Sequence, residues 1–97
     1  MVLGVLNYLK TPLFAYTVTR DVKTALFSRG MRYFLAVVNN GNEDKSAAIY
    51  LPALDKIKGK MIVHDLMTGE KVAYSREGRH PLNIHVARKD GRILELR

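Results

Sequence analysis

Residues 32–39, Arg-Tyr-Phe-Leu-Ala-Val-Val-Asn, decide the fold because they form a strand-length run that is apolar at almost every position. In an extended strand, successive side chains point to opposite faces. Each face of this segment would carry three apolar side chains, Tyr33, Leu35 and Val37 on one and Phe34, Ala36 and Val38 on the other. Burial on both faces is typical of a central strand, so the sequence predicts that this segment lies inside a sheet.

Further apolar blocks of strand length recur along the chain, at residues 22–27, 47–51, 61–66, 70–74, 82–87 and 92–96. Three of the turns between these blocks are predicted to close hairpins. Ser28-Arg29-Gly30 would join residues 22–27 to residues 32–39, and Met67-Thr68-Gly69 would join residues 61–66 to residues 70–74. Asp90-Gly91, a dipeptide that favours primed turns, would join the last two blocks.

Seven such strands cannot form one flat sheet and still bury both faces of residues 32–39. Two stacked sheets or a partly closed barrel would satisfy both requirements, and we favour the sheets. The expected fold is therefore all-β, an antiparallel β-sandwich of about seven strands with a short N-terminal helix. The domain organisation follows, with residues 1–14 as short helix and linker and residues 15–97 as the sandwich. Helical spacing of apolar residues predicts the helix at residues 2–9, and Thr11-Pro12 would end it.

Composition narrows the possible partners. The chain has 97 residues, a net charge of +7 and no cysteine, so thiolate metal sites and disulfides are excluded. Its Lys and Arg residues are spread along the chain and are densest in predicted turns, which argues against a nucleic-acid interface. The apolar start is too short to span a bilayer and lacks the features of a signal peptide, so we expect a soluble protein of undetermined compartment.

The potentially reactive side chains do not form a recognisable catalytic or metal-binding pattern. His64, His80 and His85 lack the spacing of metal ligands, and no cofactor-binding motif is present. We therefore predict no catalytic, cofactor-binding or metal-binding residues. Asp65 is expected to accept hydrogen bonds from backbone N–H groups in the turn that follows it, although a paired-carboxylate site among Asp65, Glu70, Asp90 and Glu95 stays open.

Four stretches together resemble the C-terminal β-sandwich domains of multidomain glycoside hydrolases of the β-galactosidase-like and α-amylase-like kinds. They are Arg32-Tyr-Phe-Leu-Ala-Val-Val-Asn-Asn40, Ala48-Ile-Tyr-Leu-Pro52, His64-Asp-Leu-Met-Thr-Gly-Glu70 and Gly91-Arg-Ile-Leu-Glu-Leu96. Their order and spacing match that pattern over about residues 22–96. The resemblance implies a non-catalytic domain, because the catalytic barrel and both of its carboxylates are missing from this chain.

The resemblance also implies a partner, which would be the catalytic or another neighbouring domain of the same enzyme. Self-association of the chain is a further possibility. The predicted contact comprises six apolar residues near the N-terminus: Val2, Val5, Leu6, Leu9, Leu13 and Phe14. The alternative is a small basic β module that uses Tyr and Phe faces to bind carbohydrate or single-stranded nucleic acid.

Overall fold

A computed structural model describes residues 11–57, 59–75 and 80–97 of the chain. These residues form an antiparallel β-sandwich, which confirms the predicted fold class. The predicted helix at residues 2–9 lies outside the described residues. Among the residues that are described, no helix is long and apolar enough to cross a membrane.

The sandwich consists of one wide sheet and one narrow sheet. Nine strands are described: β1 (Thr11–Leu13), β2 (Tyr16–Thr17), β3 (Val22–Arg29), β4 (Arg32–Asn39), β5 (Lys45–Tyr50), β6 (Lys60–Asp65), β7 (Lys71–Ser75), β8 (Leu82–Val86) and β9 (Gly91–Leu96). The wide sheet has six strands in the order β1-β3-β4-β9-β6-β7, and the narrow sheet has three in the order β2-β5-β8. A 3₁₀ turn, Pro52–Leu54, follows β5, as expected where a proline ends ladder pairing.

The core lies between the two sheets. From the wide sheet, Leu26, Leu35, Val37 and Leu96 point inward, and they meet Ala47, Ile49 and Val86 of the narrow sheet. Their burial follows from the period-2 alternation of each strand, which places the apolar side chains on the inner face. The central place of β4 in the wide sheet is confirmed, because β3 and β9 pair with it on either side.

The expected burial of β4 on both faces is wrong in one respect. Val37 on the inner face is 0% exposed, whereas Val38 on the opposite face is 42% exposed. The reason is that no second layer of the described chain covers the face of the wide sheet that points away from the narrow one.

Two of the predicted hairpins are confirmed. β3 and β4 pair from Val22 with Asn39 to Arg29 with Arg32, and the turn between them is Gly30-Met31. Gly30 has φ +61°, which a primed hairpin turn requires at its first central position. Ser28 and Arg29, which the sequence pattern placed in the turn, instead extend β3. The hairpin of β6 and β7 has the predicted turn.

The third predicted hairpin is wrong. β8 pairs with β5 in the narrow sheet, whereas β9 crosses to the wide sheet and lies between β4 and β6. The turn between β8 and β9 is not the primed Asp90-Gly91 turn, because Lys89 takes the left-handed conformation and the N–H of Asp90 donates to the carbonyl of Ala87. In its central position β9 buries Leu94 and Leu96, which an edge strand could not do as completely.

The two sheets differ in width, and the narrow one is displaced toward β3 and β4. β5 contacts β3, and β8 contacts β4, where the side-chain amide of Asn39 donates to the carbonyl of Val86 at 3.1 Å. β9, β6 and β7 therefore extend beyond β8. At the opposite edge, residues 11–14, which the sequence assigned to a linker, contain β1 and its pairing with β3.

Val37 and Val38 provide a matched test of this layer arrangement. Val37→Ala removes buried methyl groups and leaves a cavity, so we expect it to lower the free energy of unfolding by about 2–3 kcal/mol. Val38→Ala, one residue further on the outer face, should cost less than about 1 kcal/mol. Urea denaturation of both variants measures the difference. Equal losses would contradict the one-sided burial of β4.

Candidate interaction surface

The face of the wide sheet that points away from the narrow sheet is the surface on which the candidate site lies, and we call it the outer face. It carries Val38, Ala36, Phe34 and Arg32 of β4, Ile93, Glu95 and Arg97 of β9 and its end, and Leu66, His64 and Ile62 of β6 and its end. The register of the three strands aligns these side chains in rows across the sheet.

One half of the outer face is apolar and accessible. Ile93 lies opposite Ala36 in the ladder, and Leu66 on the other side of Ile93 donates its N–H to the Ile93 carbonyl at 2.9 Å. Val38, Ile93 and Leu66 are each close to half exposed, and so is Ile62, which lies on the same face beyond His64 and opposite Arg97. Scattered exposed aliphatic residues are normal on a protein surface, but four on one side of one sheet are a feature of interaction surfaces.

The other half of the outer face is organised around Glu95, whose side chain is only 2% exposed. Arg32 bonds the carboxylate through its Nε and a terminal guanidinium nitrogen, and His64 Nδ1 and Arg97 Nε each lie 4.0 Å from its second oxygen. The Arg32 guanidinium also lies 5.5 Å from the centre of the Phe34 ring. A buried carboxylate is costly without a cation beside it, so these neighbours make its position tenable.

This arrangement depends on β9 lying between β4 and β6. In the register, Glu95 lies opposite Phe34 on one side and opposite His64 on the other. The sequence contains a signal for it, because Ile93-Leu94-Glu95-Leu96 places an acidic residue within an apolar strand. The partners of Glu95 could not be deduced from the sequence, since they come from strands that are distant in the chain.

The outer face has a strong excess of positive charge. Glu95 is the single acidic residue that the described strands β3, β4, β6, β7 and β9 place on this face. By strand alternation, six cationic residues share the face with it: Lys23, Arg29, Arg32, Lys60, Lys71 and Arg97. The surface therefore combines an apolar cluster of Val38, Ile93 and Leu66 with an excess of positive charge, and its single acid is already paired.

Asp65 lies on the opposite, inner face and has a structural role in the turn after β6. Its Oδ1 accepts the N–H groups of Met67 at 2.8 Å and Thr68 at 3.1 Å, which confirms the hydrogen bonding expected from the sequence. Its Oδ2 accepts a hydrogen bond from the Arg92 guanidinium at 3.0 Å. Asp65 and Glu95 therefore lie on opposite faces of the wide sheet, so these two carboxylates do not form a pair.

The electrostatics of Asp65 follow from these contacts. Partial burial acts to raise the pKa of Asp65, but the two backbone N–H donors and the charge of Arg92 outweigh it. They hold the pKa of this carboxylate below its usual value of 3.8.

The two described members of the predicted N-terminal contact differ in exposure. Leu13 packs partly buried against the core, whereas Phe14 is 65% exposed. Val2, Val5, Leu6 and Leu9 lie outside the described residues, so the contact as a whole stays a prediction.

The aromatic side chains near this region stack on one another. The ring of Phe14 lies 5.4 Å from that of Tyr16, which in turn lies 5.1 Å from that of Tyr50. Each ring therefore has at least one face against a neighbouring ring, while Phe14 stays 65% and Tyr16 40% exposed. Across residues 11–57, 59–75 and 80–97, no three His, Asp or Glu side chains gather as metal ligands would.

Comparisons with known proteins agree on the fold. The chain superposes on a GH27 β-L-arabinopyranosidase from Geobacillus stearothermophilus with a TM-score of 0.64 and 18% identity, over 88% of this chain and 19% of that one. An α-amylase from Geobacillus thermoleovorans gives a TM-score of 0.64 at 12% identity, over 99% of this chain and 20% of that one. For α-galactosidase I from Mortierella vinacea the TM-score is 0.57 at 16% identity, over 84% and 22%.

The fold resembles that of domains in glycoside hydrolases. The chain spans about a fifth of the length of the solved structures it matches. No family model and no curated protein matches its sequence. At these identities the likeness concerns the fold, and it bears out that part of the resemblance seen in the sequence.

Replacement of Asp65 by Asn tests its role, since Asn keeps an acceptor oxygen for the turn but removes the charge beside Arg92. Because folding lowers the pKa of Asp65, the carboxylate stabilises the fold above the unfolded value of 3.8 and loses this contribution as pH falls through the lower folded value. We expect Asp65→Asn to lower the free energy of unfolding by about 1–2 kcal/mol at neutral pH.

Urea denaturation at neutral pH and again at about pH 3 measures the effect. The difference between Asp65→Asn and the unmodified chain should shrink at the lower pH, since the carboxylate is then partly protonated. A difference that stays constant or grows would contradict the assigned role.

Proposed function

We propose that this chain is a non-catalytic accessory domain of a carbohydrate-active enzyme, and that its outer face packs against a neighbouring domain of that enzyme. The observation that carries the proposal is the outer face itself, where exposed aliphatic residues border a buried, fully paired Glu95. The fold shared with parts of glycoside hydrolases, each about five times longer than this chain, supports the enzyme class.

The proposed work of the domain is to cover and stabilise its neighbour. At about 25 cal/mol per Å², burial of about 400 Å² of apolar surface would contribute about 10 kcal/mol before the cost of ordering side chains. A covalent connection between the domains would reduce the entropic cost of association, because the contact is then intramolecular. A modest interface is sufficient under these conditions.

The chemistry of the outer face defines the partner surface that would fit it. Val38, Ile93 and Leu66 require an apolar patch, and the cations around Glu95 favour acidic groups at its border. A second copy of the same face fits poorly, because two cationic surfaces would repel each other. The N-terminal residues predicted from the sequence would add to this contact if they lie at the domain junction.

Hydroxyl-radical footprinting tests this proposal, because it reports the accessibility of individual aliphatic side chains. The isolated domain is compared with the native polypeptide that contains it, after mass spectrometry has identified the other domains of that polypeptide. We expect Val38, Ile62, Leu66 and Ile93 to be oxidised in the isolated domain and protected at least about fivefold in the native protein.

Val18 is a matched control, since it is 83% exposed and follows β2 of the narrow sheet. It should be oxidised equally in both samples. Equal oxidation of the four outer-face residues in both samples would contradict the docking face. A native polypeptide without any carbohydrate-active domain would contradict the enzyme class.

A further inference from the structure

β8 is an edge strand without the usual protection. No described strand pairs with its second edge, and its residues Leu-Asn-Ile-His-Val include neither a proline nor a Lys, Arg, Asp or Glu. The other edges are protected, since β1 is short and contains Pro12, β2 has two residues and β7 begins with Lys71. Exposed edges of this kind are templates for pairing with another strand.

The hydrogen bonds of the narrow sheet show which backbone groups of β8 are available. Ala48 directs its carbonyl toward β2, where the hydroxyl of Thr17 donates to it at 2.7 Å. Because backbone groups alternate along a strand, Ala47 and Ile49 must point toward β8. Their ladder partners Ile84 and Leu82 therefore bond to β5, and Asn83 and His85 direct their N–H and C=O groups to the second edge.

Beside this edge lies a cleft of about 240 Å³, formed where the wide sheet extends beyond β8. Val63 and Leu94 form its base, and Val72 at its side is 54% exposed although it lies on the inner face of the wide sheet. Nearer the other end of the hairpin, the inward Tyr74 is only 7% exposed. The inner face of the wide sheet is therefore uncovered at Val72, next to backbone N–H and C=O groups of β8 that no described strand pairs with.

Besides Asn83 and His85 of β8, the polar lining of the cleft comes from Asp65, Glu70 and Arg92. Arg92 donates to Asp65, and its Nε is buried without a hydrogen-bond partner among residues 11–57, 59–75 and 80–97. The carboxylates of Asp65 and Glu70 outnumber the one guanidinium of Arg92, so these three side chains carry a net negative charge. The whole chain, in contrast, has a net charge of +7. A basic side chain entering the cleft would meet a complementary charge.

We propose that the cleft binds an extended peptide segment, which pairs with Asn83 and His85 of β8 and becomes the fourth strand of the narrow sheet. A peptide strand is the ligand that matches alternating main-chain donors and acceptors along an edge. One inward side chain would be apolar and cover Val72, and the next inward side chain would be basic and lie near Glu70. This proposal does not depend on the outer face.

Geometry excludes pairing of β8 with β8 of a second copy of this chain. If β8 paired with β8 of another copy, the β4 strand beneath that copy's β8 would occupy the layer already filled by β6 and β7. Neighbouring strands lie about 4.8 Å apart and stacked sheets about 10 Å apart, so the two wide sheets would overlap. The space accommodates one or two strands and not another sandwich.

Titration of the ¹⁵N-labelled chain with a capped five-residue peptide tests the proposal. Thr-Val-Thr-Lys-Thr and Thr-Lys-Thr-Val-Thr present the two inward side chains in either strand direction. We expect one of them to cause saturable shifts of the Asn83 and His85 amide signals, with a dissociation constant of about 1 mM. The variant peptides with Glu in place of Lys should bind about tenfold more weakly.

Two protein variants locate the binding. Asn83→Pro removes an N–H that the β5 ladder does not use, and Val72→Lys removes the apolar contact and places a positive charge that repels the peptide lysine. Each should weaken binding at least about tenfold, whereas Val18→Lys on the exposed surface should not change it. Val72→Lys keeps the proposal falsifiable if the proline variant does not fold.

Three results would overturn the proposal. The first is the absence of shifts at Asn83 and His85 with either lysine peptide, and the second is equal binding by Val72→Lys and Val18→Lys. The third is that galactose, but neither peptide, shifts these amides, which would make the cleft a saccharide site.

Discussion

The apolar layer between the sheets joins partners of unequal width, since six strands lie on one side and three on the other. Leu35, Val37 and Ile49 are fully removed from water in this layer, and the register of each strand is fixed by the need to keep such side chains inside. The mismatch in width has two consequences. The wide sheet has an outer face that the described chain does not cover, and its inner face extends beyond β8.

In the proposed contact, Glu95 gives the outer face its specificity. A sheet surface made only of aliphatic residues would associate with any apolar partner, whereas a buried carboxylate requires a cation in a fixed position. Arg32 from β4 supplies it on one side of β9, and His64 Nδ1 from β6 lies 4.0 Å from the carboxylate on the other side. The same cluster ties three strands together that are distant in sequence. Loss of Arg32 would leave the carboxylate of Glu95 buried beside no bonded cation, which is the costly way to break such a pair.

Local patterns predicted much of the fold. Period-2 alternation located the strands, Gly30 and Gly69 marked two hairpin turns, and Asp65 was assigned its hydrogen bonds in the turn. The pairing of β9 was not predictable in this way. The Asp90-Gly91 dipeptide suggested that β9 pairs with β8, its neighbour in sequence, whereas burial of its apolar side chains is achieved between β4 and β6. The Glu95 cluster depends on that pairing, so it was missed too. Exposure of Val38 depends on which face the second sheet covers, and no local signal contains that information.

Amide hydrogen exchange of the isolated domain measures most directly where the narrow sheet ends. We expect slow exchange for amides within β4 and β9, and alternating slow and fast exchange along β8. Ile84, which bonds to β5, should exchange slowly, and its neighbours Asn83 and His85 should exchange rapidly although they lie in the same strand. Uniform protection of all three amides would mean that the second edge of β8 is already paired. That result would contradict a narrow sheet that ends at β8 while the wide sheet continues beyond it.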